Sequence, residues 1–150
     1  MAKIFCISNQ KGGVGKTTTT VNLAAGLTKL GQRVLMVDLD PQGNATMGSG
    51  VDKRRLALSV YDVLLESASI EEARVHAEKC GYDVLGANRE LAGAEVELVA
   101  LERRDQRLKT ALAAVVDSYD FVLIDCPPSL SMLTLNGLCA AHGVIVDSEG

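Results

Sequence analysis

Four short apolar runs constrain this chain more than any other feature: Ile4-Phe5-Cys6-Ile7, Val34-Leu35-Met36-Val37, Phe121-Val122-Leu123-Ile124 and Val144-Ile145-Val146. A strand with one face in water alternates apolar and polar residues. A short unbroken run is the pattern of a strand buried on both faces, as in parallel sheets covered by helices on either side. Parallel strands also need long crossovers, usually helical. From Lys16 to Leu30, the residues Val21, Ala24, Ala25, Leu27 and Leu30 recur at helical spacing, and Gly31 stands where such a helix stops. The expectation is a single α/β unit over residues 1–150, three-layered, with a mostly parallel sheet and right-handed crossovers.

The segments between these runs are less decided. Gln42 to Gly50, with three glycines, reads as a loop. Ser59 is placed to cap a short helix through Leu65, and Ser69 with Glu72 has capping-box spacing. Tyr82 to Leu85 reads as a short strand. Glu90 to Val116 is helix-rich, with a break near Glu102 to Asp105.

A formal net charge of −4 argues against coating nucleic acid through overall charge, and 3% aromatic content without tryptophan argues against a base-stacking platform. Cys6, Cys80, Cys126 and Cys139 are scattered without a C-x-x-C pair, and read as free thiols in a reducing cytosol. No signal-peptide pattern and no run of membrane-spanning length occur, so the expected location is cytoplasmic, with no membrane partner. His76 and His142 have no partner spacing, and Glu102 to Arg107 mixes both signs as a solvated helix face does. Met132, Leu133 and Leu135 read as core or interface.

The chemistry lies where the runs end. Lys11-Gly12-Gly13-Val14-Gly15-Lys16-Thr17-Thr18 sits between the first strand and the first helix. Its glycines let the backbone curl so that N–H groups point at phosphates, Lys16 reaches the outer phosphates, and the Thr17 hydroxyl joins a Mg²⁺ shell. Gln10 stands where the common form of this loop has glycine, and Lys11 is a cation the common form does not need. The second run ends in Asp38-Leu39-Asp40-Pro41 and the third in Asp125-Cys126-Pro127-Pro128. Asp125 is placed to hold Mg²⁺ through water, Asp40 to orient an attacking water, and Asp38 to serve as a structural carboxylate bonded to backbone or a loop lysine. In such a sheet these ends converge on one nucleotide–Mg²⁺ site. Together they describe a P-loop NTPase fold.

Four stretches resemble the ParA family of chromosome and plasmid partitioning ATPases (Soj-like, in the ParA/MinD deviant Walker A class). They are Ser8 to Thr19, Val37 to Thr46, Ala87 to Ala94 and Asp120 to Leu130, within a resemblance running from about Lys3 to Val146. The resemblance implies that two subunits sandwich two ATP molecules, and that Lys11 crosses to the partner's nucleotide much as an arginine finger does. It implies Lys11, Lys16 and Asp40 as catalytic residues, and Lys11, Gly12, Gly13, Val14, Gly15, Lys16, Thr17 and Thr18 as the ATP-binding loop. Thr17, Asp40 and Asp125 are the implied metal set, with ATP and Mg²⁺ as cofactors. The implied partners are a second copy in the ATP-bound state, a ParB-type centromere-binding protein that stimulates hydrolysis, and DNA bound without sequence preference in full-length relatives. Such proteins continue beyond Val146. The expectation is therefore an N-terminal portion that lacks the C-terminal strands and helices, with a non-catalytic remnant that keeps nucleotide or partner binding as the alternative. A MinD-like membrane cycle needs a C-terminal amphipathic helix, and an iron–sulfur relative needs grouped cysteines; neither pattern is present.

Overall fold

A computed structural model of the chain describes the backbone of residues 1–9 and 14–147 and the side chains of 1–8 and 18–146. The strands β1 (Lys3–Asn9), β2 (Val34–Asp38), β3 (Val75–Ala77), β4 (Tyr82–Leu85), β5 (Phe121–Asp125) and β6 (Gly143–Asp147) form one sheet in the order β3-β4-β2-β5-β1-β6. Neighbours are parallel except β3 and β4, which are antiparallel. The helices are α1 (Val14–Lys29), α2 (Asn44–Gly48), α3 (Val60–Leu64), α4 (Ile70–Ala73), α5 (Ala94–Glu97), α6 (Arg107–Ala113) and α7 (Met132–Ala140).

The unbroken apolar runs are explained by two cores, one on each face of the sheet. Val34, Met36 and Leu123 point to the face covered by α1 and α2. Leu35, Val37, Val122 and Ile124 point to the other, where α3, α4, α6 and α7 supply Leu64, Ile70, Leu112 and Leu133. Both faces of β2 and β5 are thus dry, which places these two strands at the centre. Each fully buried aliphatic side chain contributes on the order of 2 kcal/mol.

The helix stops and starts follow the expected chemistry. Gly31, at φ 84°, ends α1, with the Gly31 and Gln32 N–H groups returning to Thr28 and Leu27 carbonyls. Ser59 with Asp62, and Ser69 with Glu72, form capping boxes at α3 and α4. The break between residues 90 and 116 is present: Arg89–Gly93 is a 3-10 turn, α5 is short, and α6 begins only at Arg107.

Two readings of the sequence change, and one strand is new. The segment Gln42 to Gly50 contains α2, whose Ala45 and Thr46 are buried. β3 had no apolar run to reveal it, because Val75 and His76 are exposed on this edge strand. Cys6 and Cys126 form a disulfide, whereas Cys80 and Cys139 are free. The reason is a matter of register: Cys6 pairs with Ile124 on β5, so Cys126, two residues on, returns to the same side of the sheet with its Cα 6.5 Å from that of Cys6.

α7 lies close on β5. A Cβ built at Gly137 would stand 2.7 Å from Cys126 Sγ and 3.2 Å from Leu39 Cδ1. Gly137→Ala is expected to destabilise the fold by about 1–3 kcal/mol through overpacking, read as a lower urea midpoint. An unchanged midpoint would show that α7 sits further from the sheet.

Candidate active site

The carboxyl ends of β1, β5 and β2 stand side by side, with Ile7, Asp125 and Asp38 aligned in one row by the strand register. The chain leaves β1 at this end and enters α1 at Val14, so the N-terminal end of α1 belongs to the same edge of the sheet. The first N–H groups of any helix have no partner within it, and its dipole is positive there, so a helix N-terminus favours an anion.

Asp125 is fully buried and accepts a 2.7 Å hydrogen bond from the Thr20 hydroxyl, itself fully buried in α1. The helix that follows the glycine loop is thereby tied to the acid on the central strand. Asp38 is also fully buried. Its Oδ1 accepts the Asp40 N–H at 3.0 Å, and its Oδ2 accepts the Thr46 N–H at 2.9 Å and the Thr46 hydroxyl at 2.7 Å. Thr46 Oγ1 in turn accepts the Ala87 N–H at 3.0 Å. One carboxylate thus joins the end of β2 to helix α2 and, through Thr46, to Ala87 two residues beyond β4. Burial, followed by the charge of Asp125, pushes the Asp38 carboxyl up to about 7, while the hydrogen bonds from Thr46 and Asp40 pull it down.

Asp40 is 9% exposed, less deeply placed than Asp38 or Asp125. Its carboxylate accepts the Gln42 N–H at 3.0 Å and its carbonyl accepts the Gly43 N–H at 2.8 Å. Gly43 takes a left-handed φ of 65°, and a Cβ there would lie 2.6 Å from the Ala87 carbonyl oxygen. Only glycine lets this turn close against the end of β4. Lys53 Nζ donates to the Gln42 carbonyl and braces the turn from outside.

The expected site residues fall into three groups. Asp40 and Asp125 come to the same edge of the sheet. Val14, Gly15, Lys16 and Thr17 lie in the first turn of α1 by their backbone, Thr18 follows with an exposed side chain, and the side chains of 14–17 lie outside the described residues. Lys11, Gly12 and Gly13 lie wholly outside them. Asp38 is a structural carboxylate as expected, with backbone N–H groups and the Thr46 hydroxyl among its partners. Thr20 and Thr46 were not singled out from sequence. Their only signals were a run of four threonines and the motif segment Gly43-Asn44-Ala45-Thr46.

This donor chemistry fits ATP and Mg²⁺. A helix N-terminus suits phosphate, and carboxylate and hydroxyl oxygens are the hard ligands that Mg²⁺ takes together with phosphate oxygens and water.

A family model described as an AAA domain matches residues 2–150. The sporulation initiation inhibitor protein Soj of Bacillus subtilis is 51% identical over 146 residues, covering 97% of this chain and 58% of that protein. The chromosome partitioning protein ParA of Myxococcus xanthus is 48% identical, covering 97% of this chain and 52% of that protein. A crystal structure titled cobyrinic acid a,c-diamide synthase from Mycobacterium smegmatis, with bound ADP and magnesium, superposes with a TM-score of 0.93 at 50% identity, covering 97% of this chain and 59% of that one. The same protein with an ATP analogue and magnesium gives a TM-score of 0.94. The chain spans little more than half the length of the curated relatives it matches.

Proposed function

We infer the function from one premise: this chain belongs to the AAA domain family, among its ParA/Soj partitioning ATPases. On that premise it binds ATP with Mg²⁺ and hydrolyses it as the nucleotide-switched part of a DNA-partitioning system. The observation that carries this reading is the meeting of the α1 N-terminus, Asp125 and Asp40 at one edge of the sheet, with Thr20 joining α1 to Asp125. The solved relative bears a different functional name, and its crystals hold an adenine nucleotide and magnesium, which supports a nucleotide site in this chain.

In this reading the glycine loop, residues 11–15, cradles the phosphates, Lys16 neutralises the outer ones, and Thr18 contacts the α-phosphate. Thr17 and Asp125, with Asp40 nearby, hold the metal. Bound Mg²⁺ would neutralise phosphate charge as the bond to the leaving oxygen breaks. Asp40 orients the attacking water, its position fixed by the Asp38 and Gly43 contacts. Lys11 completes the site of a second copy across an ATP-dependent dimer. The cycle runs in the cytoplasm, where a ParB-type protein stimulates hydrolysis and DNA is the surface bound in the ATP state. Among the described residues no helix is long and apolar enough to cross a membrane.

Lys16→Ala is expected to weaken ATP binding by at least about tenfold, through loss of a charge-assisted phosphate contact. Titration with a fluorescent ATP analogue and Mg²⁺ measures it. A wild-type chain that binds no nucleotide would defeat the reading. A gel shift with ATP and non-specific DNA separates the partitioning ATPase from a remnant that holds nucleotide without binding DNA.

A further inference from the structure

Helix α7 begins where the connection from Asp125 ends. The first N–H groups of a helix have no partner within it. In α7 they are filled as follows: Met132 N–H donates to Glu95 Oε2 at 3.0 Å, Leu133 N–H donates to Glu95 Oε1 at 3.2 Å, and Thr134 N–H donates to the Ser131 hydroxyl at 3.4 Å. The helix's own ladder starts at Leu135 N–H, which donates to the Ser131 carbonyl. Two of these three donors are therefore met by a single carboxylate reaching over from α5. A negative group at a helix N-terminus is favoured both by charge-assisted hydrogen bonds and by the dipole. Glu95 also borders a cleft of about 310 Å³ whose walls include Pro41, Pro127 and Ser129. Pro41 follows Asp40, and Pro127 lies two residues beyond Asp125, so the two acidic strand ends run on into connections that meet beside this carboxylate.

We propose that Glu95 is a positioning residue for ATP hydrolysis: by gripping the first turn of α7 it fixes the far end of the 126–131 connection, whose near end is fixed by β5. This rests on the ATPase reading above. Glu95 acts through the backbone of α7 and takes no part in holding phosphate. The sheet register that places Asp125 and the Thr20 bond that steadies it do not depend on Glu95. Loosening the grip therefore slows turnover while leaving nucleotide affinity in place.

The test is Glu95→Gln, which keeps the size and one acceptor oxygen but turns an amide NH₂ toward one helix N–H, with Glu95→Ala as the stronger variant. Amide exchange at Met132 and Leu133 is expected to accelerate about tenfold on losing a charge-assisted bond, with β1 and β5 amides unchanged. The Kd for a fluorescent ATP analogue should stay within about twofold while kcat falls about tenfold, the signature of an interaction used in turnover rather than in binding. Unaltered exchange at Met132 and Leu133 in both variants would overturn the grip. Accelerated exchange with unchanged kcat, or affinity falling in step with kcat and β5 exchange rising, would overturn the positioning role. A wild-type chain that binds ATP without turnover would overturn the ATPase reading, and the rate-setting role with it, leaving the exchange data as a measure of the grip alone.

Discussion

Replacing Asp38 by alanine is expected to lower the unfolding free energy by about 3 kcal/mol, because three buried donors lose their acceptor at once. The Asp40 N–H, the Thr46 N–H and the Thr46 hydroxyl all converge on this carboxylate. Asp38→Asn keeps an acceptor for both Thr46 donors and turns its NH₂ toward the Asp40 N–H, so it should cost about 1 kcal/mol. The two forms also differ in pH dependence. Burial and Asp125 raise the Asp38 carboxyl from 3.8 to about 7 in the fold. A group raised in the folded state contributes stability that is complete below its unfolded value and is lost as pH rises through the folded one. The wild-type chain without nucleotide should therefore lose on the order of 3 kcal/mol between about pH 5 and 8 from this group, at roughly 1.4 kcal/mol per pH unit below its pKa. Asp38→Asn should be flat over that window apart from the other titrating groups. Urea unfolding at several pH values measures both chains, and parallel curves would show that Asp38 is ionised throughout.

Asp40→Ala should leave nucleotide affinity within about threefold and reduce hydrolysis by about 10²–10⁴-fold, the range typical of a side chain that handles the attacking water's proton. The expectation comes from how Asp40 is mounted. Its own N–H is pinned by Asp38, its carbonyl by the Gly43 N–H, and its carboxylate by the Gln42 N–H. A residue held by its N–H, its carbonyl and its carboxylate, in a turn that only a left-handed Gly43 can close, presents its carboxylate in one place. Single-turnover hydrolysis alongside fluorescent-analogue titration separates the two effects. If Asp40→Ala hydrolyses at a rate near wild type, another group orients the water. If affinity collapses together with rate, Asp40 belongs to the binding shell.

The strands were legible because burial on both faces leaves an unambiguous mark. Runs such as Val34 to Val37 and Phe121 to Ile124 have no reason to be uniformly apolar unless helices cover both sides. The capping boxes at Ser59 and Ser69 were legible for a similar reason, since each satisfies its donors within three residues. β3 was not, because an exposed three-residue edge strand bears no pattern of its own. α2 was hidden by glycines that punctuate its ends; it is held by the burial of Ala45 and Thr46 and by the bonds of Thr46 to Asp38 at the end of β2. The disulfide escaped for want of adjacency: nothing in the spacing of Cys6 and Cys126 says that β5 lies next to β1.

The sequence by itself determined the sheet type, the strands other than β3 and the acids that end β2 and β5, since burial periodicity and loop chemistry act within a few residues. Tertiary structure alone decided which strands are neighbours, and therefore which distant groups meet. Thr20 reaches Asp125, Thr46 reaches Asp38, and Glu95 reaches the first turn of α7 across separations of 105, 8 and 37 residues. Hydrogen bonds of this kind are set by distance in space, and that distance exists only once the strands have packed.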